Sequence, residues 1–183
     1  DLSVIHYIKE ELAKKYKITD SGEINYMLKM EIKRDRENKI LSVSQKKYIE
    51  DLIVKFKVDN MSVAYTPQTP SLKLVEGRKL TEKEMKTGYP YRQIIGSLQY
   101  LVRGTRPDIA NAVRELSRYL TCYDKSHFRE ALRVLRYLKN TKDLGLVFDG
   151  TNATIQPEIY SDASFGNKDD KRKSVSGYLI KLV

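Results

Sequence analysis

Tryptophan is absent from this chain of 183 residues, cysteine occurs once, at Cys122, and histidine twice. One thiol cannot close an intrachain disulfide or build a cysteine-rich zinc module, and His6 and His127 form no recognisable metal-ligand spacing. A reducing, intracellular setting is the expectation. Long apolar runs are missing too: nothing approaches the roughly 18 uninterrupted apolar residues of a spanning helix, and the opening DLSVIHYIKEEL lacks the order of a signal peptide. No membrane partner is expected. The chain has no initiator Met, which suggests a start inside a larger protein, and it contains neither an internal repeat nor a low-complexity tract. What remains is 40% apolar, enough for a real core, and carries 34 Lys and Arg against 24 Asp and Glu, a net charge of +10. The excess is spread through periodic segments. That favours a folded surface meeting a polyanion, with plain solubility as the alternative.

Three blocks follow from the hydrophobic period. In the first, Ile5, Ile8, Leu12 and Tyr16 fall at helical spacing over 4–16. Strand-like runs over 24–33 and 39–43, joined by the charged turn at 34–38, predict a hairpin; Ser44 is a candidate cap for a helix carrying Ile49, Leu52, Ile53 and Phe56. Residues 57–88 lose periodicity and contain Pro67, Pro70, Gly77 and Gly88, which predicts a linker and a domain boundary.

A helical block is expected next. Ile94, Ile95, Leu98 and Leu101 define one helix, ended by Gly104, and the Thr105-Arg106-Pro107-Asp108 start signal opens another that buries Ile109, Ala112, Val113, Leu116 and Leu120. A third places Phe128, Ala131, Leu132, Leu135 and Leu138 inward, with Arg129, Arg133 and Arg136 on another face. From Gly145 the period becomes strand-like over 146–148, 155–161 and 176–183, with Pro157 marking a strand start or an edge.

Four segments, taken in order, resemble copia-type long-terminal-repeat retrotransposon Pol polyproteins, in the region from the end of reverse transcriptase into ribonuclease H. They are INYMLKMEIKRDRENKILSVSQKKYIEDLI, YRQIIGSLQYLVRGTRPDIANAVRELSRYL, HFREALRVLRYLKNTKDLGLVF and YSDASFGNKDDKRKSVSGYLIKL, which together span nearly the whole chain. The resemblance implies an α+β fold: a reverse-transcriptase palm hairpin and start of the thumb over 1–56, a linker over 57–88, a helical thumb and connection over 89–143, and the first strands of a ribonuclease H-like mixed sheet over 144–183. Departures stand at Lys29, where the family usually has Gly, at Ser164, where a second Asp is common, and at Phe165, where Trp is common.

The same resemblance makes Asp162 the first metal-binding carboxylate of a ribonuclease H site. Its companions would lie beyond Val183, and the polymerase carboxylates ahead of Asp1. Both active sites are therefore expected to be incomplete here, with Mg²⁺ belonging to the intact parent and none held by this chain alone. Asp169 and Asp170 read as a solvated loop. The implied role is backbone binding of primer-template or RNA/DNA hybrid, with the remainder of the polyprotein as a protein partner, in the cytoplasm, within a virus-like particle, or in the nucleus. Candidate phosphate contacts are Lys29, Lys33, Arg114, Arg118, Arg129, Arg133, Arg136, Lys171, Arg172 and Lys173, each weighed against an ordinary solvated charge. Arg106 and Asp108 read as helix-start architecture, and His127 as a cap or packing residue. A non-catalytic remnant or structural subunit is the rival reading.

Overall fold

Helical periodicity between residues 45 and 140 closes on itself in three dimensions. The structure, a computed structural model, describes residues 2–151, 156–164 and 174–182. The chain divides into two compact units, one made of Asp1–Ile32 and Val43–Gly145 and the other of Lys33–Ser42 and Leu146–Val183. The architecture is α+β, with α1 (Leu2–Lys15), β1 (Tyr26–Met27), β2 (Met30–Asp35), β3 (Ile40–Ser44), α2 (Lys46–Lys55), α3 (Glu82–Thr87) and α4 (Tyr91–Gly104). A short 3-10 turn (Pro107–Ile109) leads into α5 (Ala110–Ser117), followed by α6 (Lys125–Asn140), β4 (Leu146–Asp149), β5 (Pro157–Ser164) and β6 (Val175–Leu182).

The first unit owns the core. Ile49, Leu52 and Ile53 of α2 join Tyr91, Ile94, Ile95, Leu98 and Leu101 of α4, Ala112, Val113 and Leu116 of α5, and Ala131, Val134, Leu135 and Leu138 of α6 in one buried cluster. Each set recurs at three- or four-residue spacing, so one stripe of each helix leaves water. Helix α2 ends in a left-handed Lys57 (φ 56°), with Lys57 N–H donating to Val54 O and Val58 N–H to Ile53 O. That is the Schellman arrangement, and Val58 is buried beside it.

Several local expectations change. The first strand-like run is broken at Leu28 and Lys29, both left-handed (φ 50° and 61°), where Met27 pairs with Met30 across a tight turn. A glycine would meet that backbone without strain, whereas Lys29 adopts it with a full side chain. Ser44 does not cap α2: it ends β3 and donates to Glu31, while Gln45 takes the N-cap position and makes no side-chain cap bond. Gln45 is instead buried, its Oε1 accepting from Thr105 N–H and Thr105 Oγ1 at 3.0 Å each. Gly104 is the last residue of α4, as expected, and a Cβ there would overlap the Gln45 side chain. Close approach, not backbone freedom, requires glycine at that point.

The aperiodic stretch 57–80 is packed against helices within the first unit. Ala64 N–H donates to Arg136 O, Gly77 N–H to Cys122 O, Leu80 N–H to Thr121 O, and Tyr119 Oη to Leu74 O. Helix α3 follows, opened by a reciprocal capping box between Thr81 and Glu84.

The strands form a four-stranded sheet in the order β1-β2-β3-β4 and a separate β5-β6 pair. Strand β4, expected alongside the strands that follow it, instead adds next to β3. In the second pair Asp162 lies opposite Gly177 and Ile159 opposite Ile180. Among the described residues no helix is long and apolar enough to cross a membrane.

Candidate nucleic-acid interface

Among the described residues, most of the cations singled out in sequence are engaged by neighbours. On α6, Arg133 donates to Thr66 Oγ1 at 2.9 Å, Arg136 to Ser62 O and to Ser62 Oγ at 2.8 Å, and Lys139 to the carbonyls of Asp59 and Met61. These side chains strap the 57–80 segment onto the helix. Arg129 on the same helix is exposed. On α5, Arg114 and Arg118 bracket Glu115, and Arg114 reaches Asn111. Lys29 sits on the β1–β2 turn, 3.9 Å from Asp51, and Lys33 is exposed on β2. Lys171, Arg172 and Lys173, with Asp169 and Asp170, lie outside the described residues.

A different surface emerges on α4. Arg92, Gly96, Gln99 and Arg103 recur at spacings of four, three and four, and all are exposed, opposite the stripe that joins the core. Helix α4 contains no acidic residue. Gly96 is the informative member: a Cβ there would meet nothing within 4 Å, so internal packing does not call for glycine. In an exposed helix interior glycine costs about 1 kcal/mol relative to alanine. Gln99, Val102 and Arg103 of α4 and Val113 and Arg114 of α5 line an open groove of about 240 Å³. The exposed face of α4 carries a guanidinium near each end, Gly96 between them and no carboxylate of its own, with Glu82 lining the open pocket beside Arg92. This signal was present in the sequence as a polar helical face combining Arg, Gly and Gln without acid.

Acidic groups elsewhere are held by partners. Lys142 bonds to Glu50 and draws its carboxyl below the usual range, while Lys46 does the same for Asp143 at 2.6 Å. The Arg78 hydrogen bonds, with those of Thr81, lower Glu84 to about 2. Arg106, only 1% exposed, grips Asp108 through Nε (2.9 Å) and a terminal nitrogen (2.7 Å) and donates to Thr141 O and Oγ1. Burial raises the Asp108 carboxyl, but the bonds from Arg106 and from Tyr137 Oη outweigh it and the net shift is downward. His127, fully buried, completes the α6 capping box with Asp124, matching the cap-or-packing expectation.

Asp162 is exposed on β5. Among the described residues no group of three or more His, Cys, Asp or Glu could hold a metal ion. Mg²⁺ is held by one or two carboxylates together with waters and substrate phosphates, and Asp162 supplies one carboxylate. No step through a metal follows from this chain.

Comparison with known proteins finds relatives over nearly the whole chain. Over 183 residues the chain is 36% identical to the retrovirus-related Pol polyprotein from transposon TNT 1-94 of Nicotiana tabacum, covering 98% of this chain. It is 35% identical over 184 residues to the corresponding polyprotein from transposon RE1 of Arabidopsis thaliana. The chain is homologous to copia-type retrotransposon Pol polyproteins. This Pol homologue spans 14% and 12% of the length of those two relatives. It is also 31% identical over 175 residues to a putative transposon Ty5-1 protein of Saccharomyces cerevisiae, of which it spans 55%. No family model and no solved structure matches it.

Proposed function

We propose that this Pol homologue is a primer-template or RNA/DNA-hybrid gripping segment of a reverse transcriptase continuing into ribonuclease H, acting by backbone binding rather than bond making. The observation that carries this is the acid-free α4 face with Gly96 at its centre. A phosphate backbone needs positive charge at its own spacing and a close approach between, and a mid-helix glycine with open space above it permits that approach. The net charge of +10 supports the same reading.

Gly96→Ala tests it through two effects of opposite sign. The methyl meets no neighbour, so the fold gains about 0.5–1 kcal/mol, read as a rise in Tm. Binding to an RNA/DNA hybrid weakens because the approach is blocked, and Gly96→Leu weakens it further. A variant that is more stable and binds a hybrid as tightly as the parent would remove the reading.

Asp162 belongs to the second half of the proposal. In a longer polyprotein it would be one ligand of a two-metal nuclease site completed by residues outside this chain, where Mg²⁺ would supply charge stabilisation. Asp162→Asn in such a longer protein is expected to silence hybrid cleavage and leave polymerisation intact. The rival reading, a structural subunit packing on a partner, draws on the exposed apolar side chains of α1, β5 and β6. A pull-down from extracts that recovers no Pol partner would count against it.

A further inference from the structure

The sequence 65–70 reads Tyr-Thr-Pro-Gln-Thr-Pro, in a segment with neither helix nor strand. Both threonines precede proline, the local signature that proline-directed kinases accept, and their surroundings differ sharply. Thr66 is exposed, beside a Tyr65 that is 81% exposed; its hydroxyl donates to Gln68 O at 3.1 Å and accepts from Arg133 at 2.9 Å. Arg133 Nε is buried and has no hydrogen-bond partner among the described residues. In a guanidinium, Nε and one terminal nitrogen form a single edge that holds two oxygens at once, as Arg106 does with Asp108. On Arg133 that edge holds one hydroxyl. Arg136 and Lys139, on the same helix, donate only to neutral oxygens of Ser62, Asp59 and Met61 in their described bonds. Thr69, by contrast, donates its hydroxyl to the Glu130 carboxylate at 2.9 and 3.0 Å.

We propose that Thr66 is a phosphorylation site whose phosphate docks on the Arg133 edge and locks the 57–80 strap onto α6, while Thr69 is excluded by Glu130. Thr66 Oγ1 attacks the γ-phosphorus of ATP on a proline-directed kinase; the new Oγ1–P bond replaces the bond to the bridging oxygen, ADP leaves, and the hydroxyl proton passes to the kinase's aspartate base. The phosphate brings oxygens of nearly two negative charges to an arginine already oriented toward that position. At Thr69 the same group would be forced against a carboxylate.

The test treats the folded chain with a proline-directed kinase and Mg-ATP, with a peptide of residues 62–72 as substrate control, and maps the product by mass spectrometry. One phosphate at Thr66 is expected, with or without Thr69→Ala, and a rise in Tm of about 2–5 °C for a chain of this size. Arg133→Met should abolish the rise. As a readout independent of that variant's folding, ³¹P NMR should place the second ionisation of the phosphate below its usual value of about 6. Phosphate on Thr69 instead, no incorporation while the peptide is modified, or a free-phosphate titration in the folded protein would overturn the proposal.

Discussion

The helical core of residues 45–140 and the β5–β6 ribbon use the same kinds of side chain with opposite outcomes. Ile94, Leu98 and Leu135 are fully buried, whereas Ile159 is 69% exposed and Tyr178 81%. The core stripes of four helices share one buried cluster, so their apolar surface is removed from water within the unit itself. An isolated two-stranded ribbon has two faces and little with which to cover either. In β5–β6, Ile159, Ile180 and Tyr178 lie on one face and Tyr160 and Leu179 on the other, and all five are exposed. Hydrophobic content therefore predicts burial only where topology supplies a second layer. The same holds for α1, whose Ile5, Ile8 and Leu12 form a helical stripe that is about half exposed.

Substitutions can sharpen this contrast, beginning with the largest effect. Arg106→Met takes the charged donor from Asp108, which keeps only its bond from Tyr137 Oη, and the donor from the Thr141 oxygens; breaking one side of such a pair costs up to about 3–5 kcal/mol, measured by denaturant unfolding followed on helical signal. Leu98→Ala removes a fully buried side chain and should cost about 2–5 kcal/mol in the same experiment. Asp124→Ala deletes the α6 N-cap, for about 1 kcal/mol. Tyr178→Ser on the ribbon should lie within about 0.5 kcal/mol, and a loss as large as that of Leu98→Ala would erase the distinction between the two regions.

The cap also gives the core an acid sensitivity. The Ser126 side-chain hydrogen bond, joined by those of His127 and the Ser126 backbone, draws the Asp124 carboxyl below its ordinary value against the opposing effect of burial. A depressed folded value means that the stabilisation is complete above the unfolded carboxyl range and disappears as the pH falls below it toward the folded one. Asp108 follows the same sign. Stability of the parent should thus decline below about pH 4, and Asp124→Ala should flatten part of that decline.

Much of this was readable in the residues. Spacing alone located α4, α5 and α6 and most of their buried faces, because amphipathic helices advertise themselves locally. The turn at Leu28–Lys29 was hidden because neither residue is a usual left-handed former. Helix α3 carried its Thr-x-x-Glu signature at Thr81, but its six residues contain too little period to stand out from a polar stretch. The α6 cations pointed away from the core as expected, yet their spacing could not say that Ser62 and Thr66 would return to meet them from more than sixty positions earlier. Strand β4 joining β3 is likewise a long-range choice. The proposed binding surface lies on α4 rather than α6 for this reason: sequence reports a helix face, while only the fold reports whether another part of the chain already occupies it.

Salt dependence of hybrid binding tests the central claim most directly. With 34 Lys and Arg in the chain, absolute affinity would not identify which of them meet phosphate. The slope of log affinity against log salt counts phosphate contacts, roughly 0.7–0.9 per contact. For the double variant Arg92→Ala, Arg103→Ala the account predicts a slope shallower by about 1.5 with the fold intact, whereas Arg118→Ala, already bonded to Glu115, should change it little. An unchanged slope in the double variant would contradict the account.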